Sequence, residues 1–485
     1  MPVTIGRVLI RTLTTAAAAG AAALSLTAAN SAAAATVPAI KAGLTGKAIV
    51  LVNNAEFSGD DAVTDASGTA YVGWIADTGA GRKVSLCVLP RGARRCKGGV
   101  STVDSLGDSS ALGLRVLLTG PHTVTLVWQH ITVASENGPQ GDEITIATST
   151  GGPLSAPHDV ATAPSFGAMR DAVVGPHGTI WVVSEVAGGK NAVQVRPGLS
   201  NAPVTLTTPY LIGDAQIRFA GATPVLVIDK DGAISSPVSV ASQHGGTWSK
   251  FRAVARTWTA DANFGLASTP SGVRLVATVN NASYQPVVAR WNGTAFGKPA
   301  LTGDTNACAP SSHDPVSDAS GRLADVSMEC GDVAVANLPD TAHAGIFRFP
   351  VHGTFAGTLP QLTTTPSGRG WVAWSIESTT GDKLLVAPIL LPGRLVSVTR
   401  SSGSHRVTLS GPASCLPPVD LRLGLRASGG TAASKVLRLN GTALHSMTLH
   451  GASLTPGKSY TLTGTVRFSG GPAITATIKF RACPK

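Results

Sequence analysis

Charge is scarce in this chain: 13% of its 485 residues are Asp, Glu, Lys or Arg, against a usual share of about 25%. The net charge is +11, yet there is no Lys/Arg run and no stripe of alternating basic and aromatic residues, which argues against nucleic acid as a partner. Aromatics make up 5%, with only four tyrosines (Tyr71, Tyr210, Tyr284 and Tyr460), so a reaction built on tyrosine has few candidates. The chain has no Cys-x-x-Cys pair and no Cys/His spacing that would hold zinc. It has no Gly-x-Ser-x-Gly, the phrase that exposes a hydrolase serine on a strained elbow. Outside the N-terminal segment no long window carries the 3.6-residue period of an amphipathic helix.

What is abundant points one way. There are 55 glycines and 31 prolines, set among Thr, Val and Ser, a composition of many short strands and turns. A phrase recurs: an apolar strand, a polar turn, then a second apolar strand often closing on Trp. Two clear copies are Asp61-Ala-Val-Thr-Asp-Ala-Ser-Gly68-Thr-Ala-Tyr-Val-Gly-Trp74 and Leu362-Thr-Thr-Thr-Pro-Ser-Gly368-Arg-Gly-Trp-Val-Ala-Trp374. The turn falls at Gly68, His122, Gly178, Ala222, Gly272, Gly321 and Gly368, in steps of 54, 56, 44, 50, 49 and 47 residues. A period near 50 with one hairpin per repeat predicts an all-β fold, a seven-bladed β-propeller over 47–393. The copies at His122 and Ala222 are weak, so six or eight blades also fit. Lys47–Val52 is expected to act as a closing strand.

The flanks differ from the repeats. Arg7 and Arg11 precede an uncharged Ala-rich stretch and the Ala32–Ala35 run, the pattern of a signal peptide over 1–35, with a short leader over 36–46. Secretion follows, with a net charge of +9 after loss of the two arginines and no membrane span in the mature chain. Six cysteines in an exported chain predict three disulfides; of the fifteen pairings the sequence allows, proximity favours Cys87–Cys96, Cys308–Cys330 and Cys415–Cys483. After Pro388-Ile-Leu-Leu-Pro-Gly393 the pattern becomes strict alternation, as in Tyr460-Leu462-Gly464-Val466-Phe468 and Ile474-Ala476-Ile478-Phe480. That period of two predicts a β-sandwich over 394–485.

Two phrases carry resemblances. Leu454-Thr-Pro-Gly-Lys-Ser-Tyr460 resembles the tyrosine corner of fibronectin type III and immunoglobulin-like domains, which implies a sandwich pinned by Tyr460. Ser242-Gln-His-Gly-Gly-Thr-Trp248 resembles the BNR, or Asp-box, of secreted bacterial sialidase-like propellers, Ser-x-Asp-x-Gly-x-Thr-Trp. It is one residue shorter, and His244 stands where Asp is usual. That resemblance implies the fold; the box itself lies away from the active site in that family. The catalytic set of the sialidases, with three arginines, a Tyr/Glu pair and an acid, is not matched.

In propellers of this kind the strand before the turn lines the central channel. Seven positions before each turn stand Asp61, Arg115, Asp171, Ala215, Gly265, Asp314 and Gln361; one residue earlier stand Asp60, Leu114, Arg170, Asp214, Phe264, His313 and Pro360. Asp60, Asp61, Arg115, Arg170, Asp171, Asp214, His313 and Asp314 are therefore the candidate ligand-binding ring. Asp229-Lys-Asp231-Gly232 reads as a hairpin turn, and Gly141-Asp142-Glu143 as a solvated loop with a metal or glycan contact as the alternative. His122, His130, His158 and His177 show no metal spacing. No catalytic residue, metal or cofactor is expected. The sequence favours a secreted, non-catalytic protein binding a glycan, cell-wall polymer or protein. The alternatives are a sialidase-like glycosidase or lyase using the ring carboxylates, and a structural surface protein.

Overall fold

The computed structural model describes residues 43–482 apart from connecting segments, the longest being 302–312, 338–344, 106–111 and 134–139. The expected signal peptide, Cys308, Cys330, Cys483, Gly321 and Gly368 lie outside the described residues; of the expected leader, Gly43 and Leu44 are described and pair with Leu390 and Ile389. The described chain is all-β, with two single-turn 3₁₀ segments. Among the described residues no helix is long and apolar enough to cross a membrane.

Antiparallel sheets, several of them four-stranded, follow one another in chain order up to Leu390. Leu112–Leu118, Val124–Val133, Gln140–Ser149 and His158–Ala163 form one, and Phe166–Val174, Ile180–Val186, Ala192–Pro197 and Val204–Thr207 the next. Their middle strands are apolar on both faces: Ala70–Asp77 is buried along almost its whole length. Such strands need a neighbour on each side, so successive sheets stack face to face. Tyr71, Ile75 and Leu86 pack with Val116, Leu126 and Trp128 of the next sheet. Leu117 and Val127 pack with Met169 and Val182, and Val183 with Ile217 and Leu226. Val225 packs with Phe264 and Leu275, Ala267 and Val276 with Leu323, and Val326 with Leu362 and Val372.

The first strands of these sheets lie side by side. Ile49–Thr64 contacts Leu112–Leu118, and contacts pass through Phe166–Val174, Ile212–Ala220, Thr259–Thr269, Asp314–Ser317 and Gln361–Thr364, which returns to Ile49–Thr64. The result is a closed, propeller-type ring. Ile49–Thr64 also ties its two ends: Ile49–Ala55 pairs with Asp382–Leu390, and Glu56–Thr64 pairs with Ala70–Asp77. Trp74, Trp128, Trp371 and Trp374 are buried between sheets, so they fill the core. Cys87 and Cys96 form a disulfide across the tip after Arg82–Leu89, with Cα atoms 5.2 Å apart.

From Leu395 onward the sheets change. Leu395–Ser402, His405–Pro412 and Gly424–Ser428 form one sheet; Ala432–Leu439, Ser459–Phe468 and Ala473–Ala482 are the long strands of another. Ala473–Ala482 alternates exposed and buried at every position, and the inward residues of both sheets share one core around Leu409, Leu425, Leu462 and Ile478. The Tyr460 hydroxyl accepts the Thr455 N–H at 2.8 Å, and its ring stacks on Phe480. Cys415 pairs in register with Arg481.

One expectation needs correction. The fourth hairpin turns at Gly221 and Ala222, with Ala220 opposite Thr223. Gly221 takes the left-handed backbone, φ +64°, which an L side chain resists. The turn is therefore a two-residue one at Gly221 and Ala222, tighter than the first, where Thr64 pairs with Ala70, and a count of residues back from it falls at a different place on that inner strand.

Candidate functional site

Each first strand is, along most of its length, an edge of its sheet. Half of its backbone groups point away from its own sheet toward the next blade, where no ladder receives them. A buried N–H left that way costs free energy. The chain meets this with side chains from the preceding strand. Asp61 Oδ2 accepts Val116 N–H at 2.6 Å, Asp171 Oδ2 accepts Ile217 N–H at 2.9 Å, and Asp314 Oδ2 accepts Leu362 N–H at 2.7 Å. Gln216 Oε1 accepts Leu266 N–H at 3.0 Å in the same way. Arg115 is the inverse case: its Nη2 donates to Arg170 O at 2.8 Å.

These strands surround a central cavity of about 880 Å³. All eight predicted ring residues line it: Asp60, Asp61, Arg115, Arg170, Asp171, Asp214, His313 and Asp314. Leu114 and Ala215, from the same two rows, are buried in the core instead. Gln216 holds the ring position that the turn at Ala222 would have given to Ala215. Arg218, Asp229 and Gln216 also line the cavity and were missed. For Gln216 the available signal was the tight turn: Thr223 stands opposite Ala220 as Gly272 stands opposite Thr269, and Gln216 lies seven positions before Thr223. Arg218 lies further along its strand, and Asp229 comes from a second strand.

The charges are organised around Asp171, whose side chain is 1% exposed. Arg115 Nε donates to its Oδ1 at 3.1 Å and Arg218 Nη1 to its Oδ2 at 2.6 Å. Arg170 pairs with Glu185 through Nε at 2.5 Å. Asp214 accepts from Gln216 Nε2 at 3.1 Å, while its backbone N–H donates to Asp229. His313 is buried with both nitrogens engaged, Nδ1 on Asp325 at 2.5 Å and Nε2 on Thr278 Oγ1 at 2.8 Å. Its imidazole thus braces the wall of the cavity.

Burial dominates the carboxylates. It pushes Asp61 up to about 6, against the opposing pull of Arg115. It pushes Asp314 up to about 7, with the Leu362 N–H opposing. Asp229 also rises to about 7, from burial and then from the neighbouring Asp214. Asp325 is raised by burial, which His313 opposes. For Arg115 burial works against the charge, but Asp171 and Asp61 outweigh it and hold the guanidinium ionised. Six aspartates (Asp60, Asp61, Asp171, Asp214, Asp229 and Asp314) therefore share the wall with Arg115, Arg170, Arg218 and Lys230. The cavity can present fixed guanidinium donors beside carboxyls that change charge near neutral pH, a surface suited to a polar, hydroxyl-bearing ligand.

The Asp-box-like segment is not part of this wall. His244 and Thr247 pair across Gly245 and Gly246, and Ser242 Oγ meets His244 Nε2 at 3.1 Å. It is a tight hairpin on the outer strands of its sheet.

No protein-family model matches the chain, and no curated protein matches it. Among solved structures it is similar to the polysaccharide lyase Uly1 (11% identity, TM-score 0.47, covering 72% of this chain and 99% of that one). It is similar to an alpha-L-arabinanase of Penicillium chrysogenum (8%, TM-score 0.42, 72% and 98%). It is also similar to a protein of unknown function from Dyadobacter fermentans (10%, TM-score 0.43, 73% and 100%). At these identities and TM-scores the likenesses carry no argument about chemistry.

Proposed function

We propose that this chain is an exported binding protein: a seven-bladed propeller of the Asp-box kind whose central cavity takes a glycan or cell-wall polymer, followed by an immunoglobulin- or fibronectin-like sandwich that spaces it or adds a second contact. The observation that carries this reading is the occupation of the ring carboxylates. Asp61, Asp171 and Asp314 each hold a backbone N–H of the next strand, and Asp171 also holds two guanidiniums. Groups tied in this way keep a fixed shape, which favours recognition over proton transfer. Arg170 and Asp214 stand on the same wall as the polar contacts for the ligand.

The glycosidase or lyase reading has one specific support. Asp61 and Asp314 are raised to about 6 and about 7, the range a general acid uses at neutral pH.

Binding of the mature protein on a glycan and cell-wall-polymer array tests both. A hit weakened tenfold or more by Arg170→Ala and Asp214→Asn, with the ligand recovered uncut, supports the cavity as a binding site. Cleavage of that ligand by the wild type, abolished by Asp314→Asn, would establish the enzyme instead. A hit indifferent to both variants would remove the cavity from consideration.

A further inference from the structure

A second cluster lies on the second sheet, outside the cavity wall. His130 on Val124–Val133 stands directly opposite Glu143 on Gln140–Ser149. Thr145, two residues on and therefore on the same face, stands opposite Asp159 on His158–Ala163. That last pairing depends on a bulge. Ile144 pairs with Ala161 but Thr145 with Asp159, so Val160 is the extra residue. Without the bulge Asp159 would pair with Ile146 and point to the other face. Bulges commonly re-aim a side chain beside a functional site, and this one brings Asp159 to His130.

The hydrogen bonds fix which atoms face one another. Thr145 Oγ1 donates its one proton to Asp159 Oδ1 at 2.6 Å. It must therefore accept from His130 Nδ1, 2.7 Å away. His130 thus carries a proton on Nδ1 and turns Nε2 toward Glu143 Oε2 at 3.2 Å. His130 is 2% exposed, Glu143 19% and Asp159 34%, so the cluster is closed below and open to solvent on its carboxylate side. One ligand atom from each of the three lies within 4.8 Å of the others. No Lys or Arg forms an ion pair with them among the described residues.

We infer that His130, Glu143 and Asp159 form a binding site for a first-row divalent cation, of which Zn²⁺ is the best fit. Imidazole with two carboxylates suits Zn²⁺, Co²⁺ or Mn²⁺, whereas Ca²⁺ takes oxygen ligands. A tetrahedral ion with bonds of about 2.1 Å needs ligand atoms about 3.4 Å apart, close to the 3.2 Å between His130 Nε2 and Glu143 Oε2. Thr145 is a positioning residue, since its hydroxyl orients both the imidazole and Asp159. The remaining coordination position faces solvent. The site needs nothing from the central cavity, and it stands or falls apart from the binding role proposed there.

The test uses the mature chain without a polyhistidine tag, stripped with EDTA and titrated calorimetrically with Zn²⁺, then with Ca²⁺. One equivalent of Zn²⁺ should bind and Ca²⁺ should give no heat. Glu143→Gln and Asp159→Asn should each weaken Zn²⁺ at least tenfold, and the double variant should lose it. Absence of Zn²⁺ binding at 100-fold excess over protein, or binding unchanged in the double variant, would overturn the inference. X-ray absorption at the zinc edge of the wild type gives a readout independent of variant folding. One imidazole and oxygen ligands at about 2.0–2.2 Å are expected; a shell with two or more imidazoles would refute the site.

Discussion

The ring around the cavity and the sheets after Leu395 both have to join one β-surface to another, and they do it with different chemistry. The C-terminal sheets present one apolar face each. Leu462, Val466, Ile474 and Ile478 project from one sheet and Leu409 and Leu425 from the other, and polar side chains stay outside. The ring also packs its sheets by apolar contact, but its inner strands meet edge on. There it uses Asp61, Asp171, Gln216 and Asp314 as acceptors for the next strand's N–H. An apolar seam leaves nothing reactive behind. A seam made of carboxylates and guanidiniums leaves oriented polar atoms around a void, and the binding role proposed for the ring rests on that difference.

Single substitutions should separate the two kinds of seam. The largest effect is expected at Asp171. Its removal leaves the Ile217 N–H and the guanidiniums of Arg115 and Arg218 without their shared acceptor. Asp171→Ala should cost about 3–5 kcal/mol, as for other broken buried pairs, read from urea denaturation of the protein. A loss under about 1 kcal/mol, the scale of a surface pair, would mean that the ring holds together without its polar clamps.

Leu462→Ala tests the other seam. Leu462 is fully buried between the C-terminal sheets, and its Cδ2 lies against the space above Gly411 on the facing strand. The expected loss is about 3 kcal/mol, independent of pH between 4 and 8 because no ionisable group is involved. A pH-dependent loss would show that the two seams are less distinct than their contacts indicate.

The comparison also explains what the sequence made legible. The period of the turns reports the hairpins directly, and where the turn was placed correctly, as at Gly68 and Gly178, counting back seven residues reaches Asp61 and Asp171 on the cavity wall. The same count failed in the fourth repeat, because its turn holds only Gly221 and Ala222 where Asp65 to Thr69 form the turn of the first, and Gln216 was passed over for the buried Ala215. Asp229 was legible only as part of a turn-like phrase, since its place on the wall depends on a cross-strand neighbour. The cluster at His130 was out of reach for the same reason. Nothing in the spacing of His130, Glu143 and Asp159 announces it, because both the strand pairing and the bulge at Val160 are needed to put them on one face. Alternation in Ala473–Ala482 needed no register at all, so that region was readable from period alone.

The smallest effect is the most specific to the ring. Burial raises Asp314 from 3.8 to about 7. Between those values the folded state keeps a proton that the unfolded chain has released. Stability from this group is therefore fully present below about pH 4, falls as the pH rises, and is lost above about 7. Asp314→Asn removes the ionisation and keeps an oxygen for the Leu362 N–H. The variant should match the wild type at pH 4 and melt ~2 °C higher at pH 8, corresponding to about 1 kcal/mol. This is well below the ~4 kcal/mol that a rise from 3.8 to about 7 would give in full, because Asp314 is only half-buried on the cavity wall and solvent screens its charge. Asp61, raised to about 6, should behave alike with its window shifted lower. If Asp314→Asn instead melts below the wild type at pH 8, the ionised carboxylate is being held by a cation at the wall, and the ring must then be read as a charged network and not as a set of backbone clamps.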